Sequence, residues 1–241
     1  MHGFFGRRGG YGQGAWASLN LSENVGDDPN VVSRNWERIR ATIGGLDIVA
    51  MRQVHGNGVV RVDAARPVGD TDAMLTQIAG ISLAILTADC VPALIIAPDA
   101  RVAIAAHAGW RGTVAGVLPA ALTAARREYG LAAHALHVAL GPAIGGCCYE
   151  VEAAIAAKIE NAWGRLSPAA WDRTGDRGRL DLRHASTEIM IRVGVPAERI
   201  VCVGPCTACR VTDFFSHRRE HGRTGRQVSV VGWAENDVVR T

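Results

Sequence analysis

The chain has 241 residues, of which 48% are hydrophobic and 20% are charged, so it can bury one large core. Its net charge of +3 is only mildly basic, and its arginines are scattered apart from a C-terminal cluster, which argues against nucleic-acid binding. The N-terminal residues do not resemble a secretory signal, which predicts a cytoplasmic protein. The most apolar stretch, residues 81–98, contains Asp89 and Pro92, so no membrane span is predicted. The expectation is one domain over residues 1–241.

The first half of the chain is predicted to form one helix followed by several strands. Residues 3–14 are too rich in glycine for a regular helix and are predicted to be loop with short strand pieces. Residues 27–44 begin with an Asp-Pro pair and repeat apolar residues at helical spacing, which predicts a helix that ends at the glycines. From residue 46 to 106, short β-branched runs predict strands, several of them buried on both faces.

The second half alternates helical and strand patterns. Residues 113–130 predict a helix that starts late or is kinked at Pro119. The remaining patterns are helices at 150–164 and 183–194, buried strands at 136–145 and 199–204, and a last strand at 226–233. This mixture predicts an α/β or α+β fold with a mixed sheet, and it leaves the strand order open.

Three potential metal ligands lie at the ends of predicted strands. Cys90 precedes one apolar run, His107 ends another, and His55 lies between a short strand and a glycine turn. Because loops at the ends of buried strands often carry functional residues, the three are predicted to form one site. Two imidazoles and a thiolate suit Zn²⁺ with an open fourth position, and they also suit copper. The alternative is ordinary burial of Cys90 with two satisfied loop histidines, because the spacing matches no short zinc motif.

The other cysteines give weaker signals. Cys147 and Cys148 are adjacent, and a disulfide between neighbours is strained, so they are predicted to be free thiols in different environments. Residues 206–209 form a CxxC motif. A second metal site at this motif is the less favoured interpretation, because the sequence has no partner CxxC.

Seven ordered blocks resemble the YfiH family, also called the laccase-domain or polyphenol-oxidase-like family. They are GFFGRRGG, SLNLSENVGDDP, RQVHG, TADCVPAL, HAGWRGT, GPAIGGCCYEV and FFSHRR, and together they extend over nearly the whole chain. The resemblance implies a four-layer α-β-β-α fold and a zinc site made by His55, Cys90 and His107. It also implies an enzyme that phosphorolyses adenosine, inosine and methylthioadenosine and deaminates adenosine, with nucleoside and phosphate as its partners.

Phosphorolysis requires cations that hold phosphate beside the anomeric carbon. The candidates are Arg111, in a glycine-flanked turn four residues after a predicted ligand, and Arg52. The alternative role of Arg111 is packing on Trp110. The basic segment 214–227 is interpreted either as a pocket wall for an anionic ligand or as a solvated loop, and its His217 stands where the family often has tyrosine.

Deamination requires a carboxylate that transfers protons. Asp89, next to Cys90, is the first candidate, and its alternative role is to hold a loop through backbone hydrogen bonds. Glu150 is the second candidate, with a place at a helix N-terminus as its alternative role.

Three other functions are weighed against the nucleoside enzyme. A multicopper phenol oxidase is disfavoured because the eight histidines form no HxH pair, whereas a mononuclear copper site stays open. The second is a hydrolase, which would use either Cys90 as nucleophile with His107 as base or a zinc ion. Such an enzyme could act in peptidoglycan precursor editing, to which some relatives are linked. A structural zinc in an interaction module would require a fourth ligand, and none is evident nearby. The chain is expected to be a monomer or weak homodimer.

Overall fold

The computed structural model describes residues 1–234, so residues 235–241 of the predicted domain lie outside the described part. Within residues 1–234 there are five α-helices and fourteen β-strands, and no helix there is long and apolar enough to cross a bilayer. The helices are α1 (Pro29–Thr42), α2 (Trp110–Ala115), α3 (Val117–Tyr129), α4 (Ala153–Trp163) and α5 (Leu182–Arg192). The strands are β1 (His2–Phe4), β2 (Asp47–Arg52), β3 (Val59–Arg61), β4 (Val68–Asp70), β5 (Ala73–Thr76), β6 (Ile81–Thr87), β7 (Val91–Ala97), β8 (Val102–Ala108), β9 (His137–Leu140), β10 (Glu150–Glu152), β11 (Trp171–Thr174), β12 (Arg177–Leu180), β13 (Ile200–Cys202) and β14 (Gln227–Gly232).

The strands form three sheets. The six-stranded sheet has the order β13-β9-β7-β8-β5-β3, and the five-stranded sheet has the order β1-β14-β6-β2-β4. Both are mixed, since β2 runs parallel to β6 while β14 runs antiparallel to it, and β9 runs parallel to β13 but antiparallel to β7. A small antiparallel sheet, β10-β12-β11, lies outside these two.

Three apolar clusters separate four layers. One cluster joins the six-stranded sheet to the helices, with Ile104 of β8 and Ala121 of α3 among its members. A second lies between the two larger sheets and contains Leu83 and Ala105. The third packs α1, through Ile39, on the outer face of the five-stranded sheet. The predicted α-β-β-α architecture is confirmed.

The first helix forms where the sequence predicts it. Asp28 caps α1 by accepting a hydrogen bond from the backbone N–H of Asn30, and Pro29 occupies the first turn. The helix ends at Thr42, and Gly44 and Gly45 follow with positive φ angles, which their lack of a Cβ permits.

The second predicted helix is broken at a different residue. It divides into α2 and α3 at Gly116, which has a left-handed φ of 81°. A Cβ at this position would collide with the ring of Trp163. Pro119 lies in the first turn of α3, where its missing N–H has no cost, so of the two predicted alternatives the late start is found and the kink is not.

Five strands were not predicted, and a sixth, β13, was predicted as a strand but is less buried than expected. β4, β5, β11 and β12 follow no recognised pattern, and β10 occupies the first residues of the pattern read as one helix over 150–164. β13 was predicted to be buried, but it is the edge strand of its sheet and Val201 is 52% exposed. An apolar run on an edge strand has the same local signal as one in the sheet interior.

Candidate metal centre

His55, Cys90 and His107 meet at one edge of the two packed sheets. β2 and β6 are parallel neighbours, so their carboxyl ends lie at the same edge, and His55 and Cys90 follow these ends. His107 is the penultimate residue of β8 and shares the face of Ala103 and Ala105, which is directed toward the five-stranded sheet. The fold therefore brings together the three side chains that the sequence places at strand ends.

The three side chains are close enough to share one ion. One ligand atom from each, a ring nitrogen or the thiol sulfur, lies within 4.8 Å of the others. The two imidazoles pack edge to face with their centroids 4.8 Å apart. Gly109 lies against the cluster, and a Cβ there would approach Cys90 Sγ to 2.9 Å and His55 Cδ2 to 3.1 Å. This His₂Cys cluster has the donor chemistry that binds borderline metals such as zinc and copper.

A buried carboxylate, Asp72, orients two of the three side chains. Its Oδ1 lies 2.8 Å from His107 Nδ1, which leaves Nε2 of that ring for the centre. It also accepts hydrogen bonds from the backbone N–H groups of Val54, His55 and Gly56 at 3.2, 3.0 and 2.7 Å, and so holds the loop of the second histidine. Asp72 was not predicted as a site residue, since its one sequence signal is to precede β5, a strand that was itself not predicted.

Without metal, these groups form a charged network. Burial raises the pKa of the Cys90 thiol, but the charge and hydrogen bond of His107 outweigh this effect and lower that pKa to about 6. Burial lowers the pKa of His107, but Cys90 and Asp72 together raise it to about 9. Burial also raises the pKa of Asp72, and its hydrogen bonds to His107 and Gly56 hold it below the usual value. A metal-free centre at neutral pH therefore contains a thiolate beside an imidazolium, and metal binding must displace the His107 proton.

A cavity of about 570 Å³ opens beside the cluster. This volume lies in the range of small-molecule sites. Among the described residues its lining contains four arginines, Arg52, Arg111, Arg218 and Arg226, and a single carboxylate, that of Asp89. The cavity therefore favours an anionic ligand.

The two arginines predicted to bind phosphate both reach this cavity. The guanidinium of Arg111 lies 4.4 Å from the ring centroid of Trp110, and within residues 1–234 it has neither a hydrogen-bond acceptor nor an ion-pair partner. Arg52 forms an ion pair with Asp70 at the surface. Stacking on Trp110, the alternative role considered for Arg111, thus leaves its N–H groups available to a ligand.

The two candidate carboxylates have different surroundings. Asp89 lines the cavity, but its Oδ1 accepts a hydrogen bond from Thr207 Oγ1 at 2.6 Å and its Oδ2 accepts one from the Arg218 backbone N–H at 2.7 Å. These contacts favour a loop-holding role, and its proton-transfer role stays a prediction. Glu150 forms an ion pair with Arg177, lies outside the cavity lining and is three residues before the first residue of α4.

The basic segment 214–227 forms part of the cavity wall through His217, Arg218 and Arg226. The guanidinium of Arg218 stacks on Tyr149 at 4.8 Å from the ring centroid. Burial and the nearby Cys90 raise the pKa of Tyr149 to about 12, so its phenol is protonated and can donate a hydrogen bond. Tyr149 was not predicted as a site residue, whereas Arg226 belongs to the basic segment that was interpreted as a possible pocket wall.

Comparison with known proteins identifies relatives along the whole described chain. The sequence is 36% identical to purine nucleoside phosphorylase YlmD of Geobacillus stearothermophilus, over 95% of this chain and 88% of that protein. It is 40% identical to a purine nucleoside phosphorylase of Streptomyces coelicolor, over 95% of this chain and 93% of that protein.

Solved structures agree with these sequence matches. The crystal structure of YlmD superposes with a TM-score of 0.92 at 34% identity, covering 98% of this chain and 92% of that one. The YfiH protein of Bacillus licheniformis superposes with a TM-score of 0.91 at 30% identity, covering 96% and 92%. The model of the family described as multi-copper polyphenol oxidoreductase laccase matches residues 1–234. The chain therefore belongs to this laccase-like family, the YfiH family.

Proposed function

We propose that this protein is a zinc-dependent purine nucleoside phosphorylase that acts on adenosine, inosine and methylthioadenosine. The observation that carries the proposal is the cavity, which places a His₂Cys cluster beside four arginines in a space of about 570 Å³. Such a space can hold a nucleoside and an anion together. The name purine nucleoside phosphorylase, borne by relatives at 36% and 40% identity, supports the same activity.

The donor set fits the proposed metal. His55, Cys90 and His107 would hold it, Asp72 would keep His107 Nε2 directed inward, and Gly109 has no Cβ that would crowd Cys90 and His55. When bound, zinc supplies a Lewis acid with one coordination position left for a ligand. Copper is the alternative ion for the same donors, and metal analysis distinguishes the two.

Phosphorolysis replaces the glycosidic C–N bond by a C–O bond to phosphate, and the purine leaves with a proton. Arg111 would bind the phosphate, because its guanidinium reaches the cavity while stacking on Trp110 restricts its movement. Arg218 and Arg226 add positive charge to the same wall and offset the repulsion between phosphate and the Asp89 carboxylate. The neutral phenol of Tyr149 would donate a hydrogen bond to the nucleoside.

Deamination of adenosine is the second reaction proposed for this cavity. It requires proton transfer at C6 of the purine, for which Asp89 is the carboxylate within the lining. This carboxylate also accepts hydrogen bonds from the Thr207 hydroxyl and the Arg218 backbone N–H. Phosphate dependence separates this reaction from phosphorolysis, because only phosphorolysis consumes phosphate.

The test combines metal analysis with a product screen. Protein purified without added metal is assayed on adenosine, inosine and methylthioadenosine with and without phosphate. Phosphate-dependent formation of free purine and sugar 1-phosphate supports phosphorolysis, and inosine formed without phosphate supports deamination. Absence of both products from fully metallated protein would overturn the proposal.

Replacement of Arg111 by alanine should weaken phosphate binding more than it weakens the fold. A charge-assisted hydrogen bond contributes about 1.5–3 kcal/mol, so KM for phosphate is expected to rise about 10- to 100-fold. Arg111 is exposed and lies outside the core, so the melting temperature should change by no more than a few degrees. The guanidinium of Arg52 is already paired with Asp70. Arg52→Ala should therefore raise KM for phosphate less than Arg111→Ala does.

The matched control is Arg126→Ala, which removes the same charge from an exposed position on α3. It should leave KM for phosphate unchanged. A variant of Arg111 with unaltered phosphate dependence, or one that unfolds, would assign this arginine to packing on Trp110.

A cysteine hydrolase is the second candidate function, because the metal-free centre holds a thiolate and an imidazolium side by side. Site-resolved alkylation distinguishes the two functions. With the pKa of Cys90 lowered to about 6, iodoacetamide should label Cys90 rapidly in chelated protein, with a rate that changes little above neutral pH. Zinc engages the sulfur lone pairs, so Cys90 in the holo protein should resist labelling.

Activity measured in the same samples completes this test. We expect activity to fall in step with metal loss and to return with zinc. Rapid labelling of Cys90 in metallated, active protein would favour the hydrolase, as would activity that survives complete chelation. The product assay would then move to peptidoglycan precursors.

A further inference from the structure

Four of the six cysteines converge at a second place on the molecule. Cys147 and Cys148 lie in the turn before β10, and Cys206 and Cys209 lie in the loop after β13. Their four sulfur atoms lie within 4.8 Å of one another, and all four thiols are free. The prediction that the adjacent cysteines face different environments is therefore wrong. The CxxC motif has a partner, which is an adjacent pair and not a second CxxC.

The sheet topology explains this convergence. β9 and β13 are parallel neighbours, so the segments that follow them leave the same edge of the six-stranded sheet. The pairing continues as a parallel bridge between Ala143 and Cys206, with the Thr207 N–H donating to the Ala143 carbonyl at 3.0 Å. The 57 residues 149–205 separate the two pairs in sequence, which is why spacing alone did not reveal them.

The distances suit one ion bound by four thiolates. The Sγ of Cys209 lies 3.6 Å from that of Cys147 and 3.4 Å from that of Cys148. In a tetrahedral site with Zn–S bonds of about 2.3 Å, the sulfur atoms are about 3.8 Å apart. The Gly145 N–H donates to Cys206 Sγ at 3.2 Å, a contact that stabilises a thiolate ligand.

A disulfide accounts less well for the arrangement. It would use only two of the four sulfurs, and Cys209 lies at nearly equal distances from two partners. One dication held by all four thiolates would use every sulfur of the cluster.

We propose that Cys147, Cys148, Cys206 and Cys209 bind a second, structural zinc ion with all four coordination positions filled by protein. Four thiolates select zinc over hard cations, and a closed shell leaves no position for a substrate. The site is separate from the His₂Cys cluster and does not depend on the function proposed for it.

The ion would join two segments that form the cavity wall. Tyr149, which lines the cavity, follows Cys148 directly. Thr207, between the two cysteines of the CxxC motif, donates its hydroxyl hydrogen bond to Asp89 at 2.6 Å. Zinc at the four-cysteine site would therefore fix the positions of Tyr149, through Cys148, and of Asp89, through Thr207.

The test counts zinc in protein purified under reducing conditions. The wild type should contain two zinc ions per chain, and Cys90→Ala should contain one. The double variant Cys206→Ser, Cys209→Ser should also contain one, whereas the control Cys202→Ser should keep two, because Cys202 is exposed and lies outside the cluster. Cobalt substituted into Cys90→Ala should show intense thiolate-to-cobalt charge-transfer absorption of a four-sulfur site.

Two results would overturn the proposal. One is a single zinc ion in the wild type together with none in Cys90→Ala. The other is a Cys147–Cys209 or Cys148–Cys209 disulfide, detected by mass spectrometry, in anaerobically purified protein. If the double variant fails to fold, the wild-type zinc content and the cobalt spectrum of Cys90→Ala still decide the question. Neither measurement uses enzymatic activity, so failure of the nucleoside assay would leave this test intact.

Discussion

Replacing Cys90 with alanine is expected to remove one zinc ion per chain and to reduce kcat/KM for nucleoside phosphorolysis by at least about 10³-fold. Cys90 supplies the only thiolate of the His₂Cys cluster, and its charge balances the ion at the end of a buried strand. Loss of that ligand leaves two imidazoles, which hold zinc weakly without a third donor. Metal analysis and steady-state kinetics on the same preparation measure both effects.

The control for this variant is Cys202→Ala, which removes a thiol that lies outside both cysteine-containing clusters. It should keep the wild-type zinc content and activity. Full zinc occupancy together with full activity in Cys90→Ala would place the reaction centre elsewhere. A loss of activity with unchanged zinc content would favour Cys90 as a nucleophile.

Local sequence signals predict the main helices and the buried strands of this fold. The Asp-Pro cap and the double glycine bound α1 correctly, because capping and positive φ angles are properties of a few neighbouring residues. The apolar runs of β6, β7 and β8 are almost continuously buried, as the absence of alternation predicts. The layer order came only from the family resemblance.

The elements that were missed owe their structure to distant partners. β5 has four residues and is held between β3 and β8, so its strand character comes from pairing and not from its own pattern. At the break, the ring of Trp163 from α4 packs where a Cβ on Gly116 would lie, so no other residue fits at this position. Single-sequence patterns do not contain such contacts.

The same distinction applies to the site. His55, Cys90 and His107 could be proposed because each stands at the end of a recognisable strand, and the family resemblance then favoured a metal site over ordinary burial. Asp72 could not, because its partners lie 16 to 35 residues away in sequence and its own neighbourhood reads as loop. The four-cysteine cluster was missed for a related reason, since two sequence-distant pairs meet only through the β9 and β13 pairing.

Replacement of Asp72 by asparagine should weaken zinc binding about 10- to 100-fold, the usual effect of removing the hydrogen-bond partner of a metal-bound histidine. The carboxylate accepts from His107 Nδ1 and from three backbone N–H groups at once. An asparagine amide has one oxygen acceptor, so if that oxygen keeps the backbone contacts its NH₂ group faces Nδ1. The ring would then favour the tautomer protonated on Nε2, which cannot bind metal.

Zinc competition with a chromophoric chelator measures this affinity, and Asp47→Asn is the matched control. Asp47 undergoes the same change of charge at an exposed position that opens β2, where it pairs with Arg40. The control should keep wild-type affinity and melting temperature, whereas Asp72→Asn should also lower the melting temperature because its carboxylate is fully buried. Activity of Asp72→Asn should recover at high zinc concentration, since the three ligands remain. Unchanged zinc affinity with a lowered melting temperature would restrict Asp72 to holding the loop of His55.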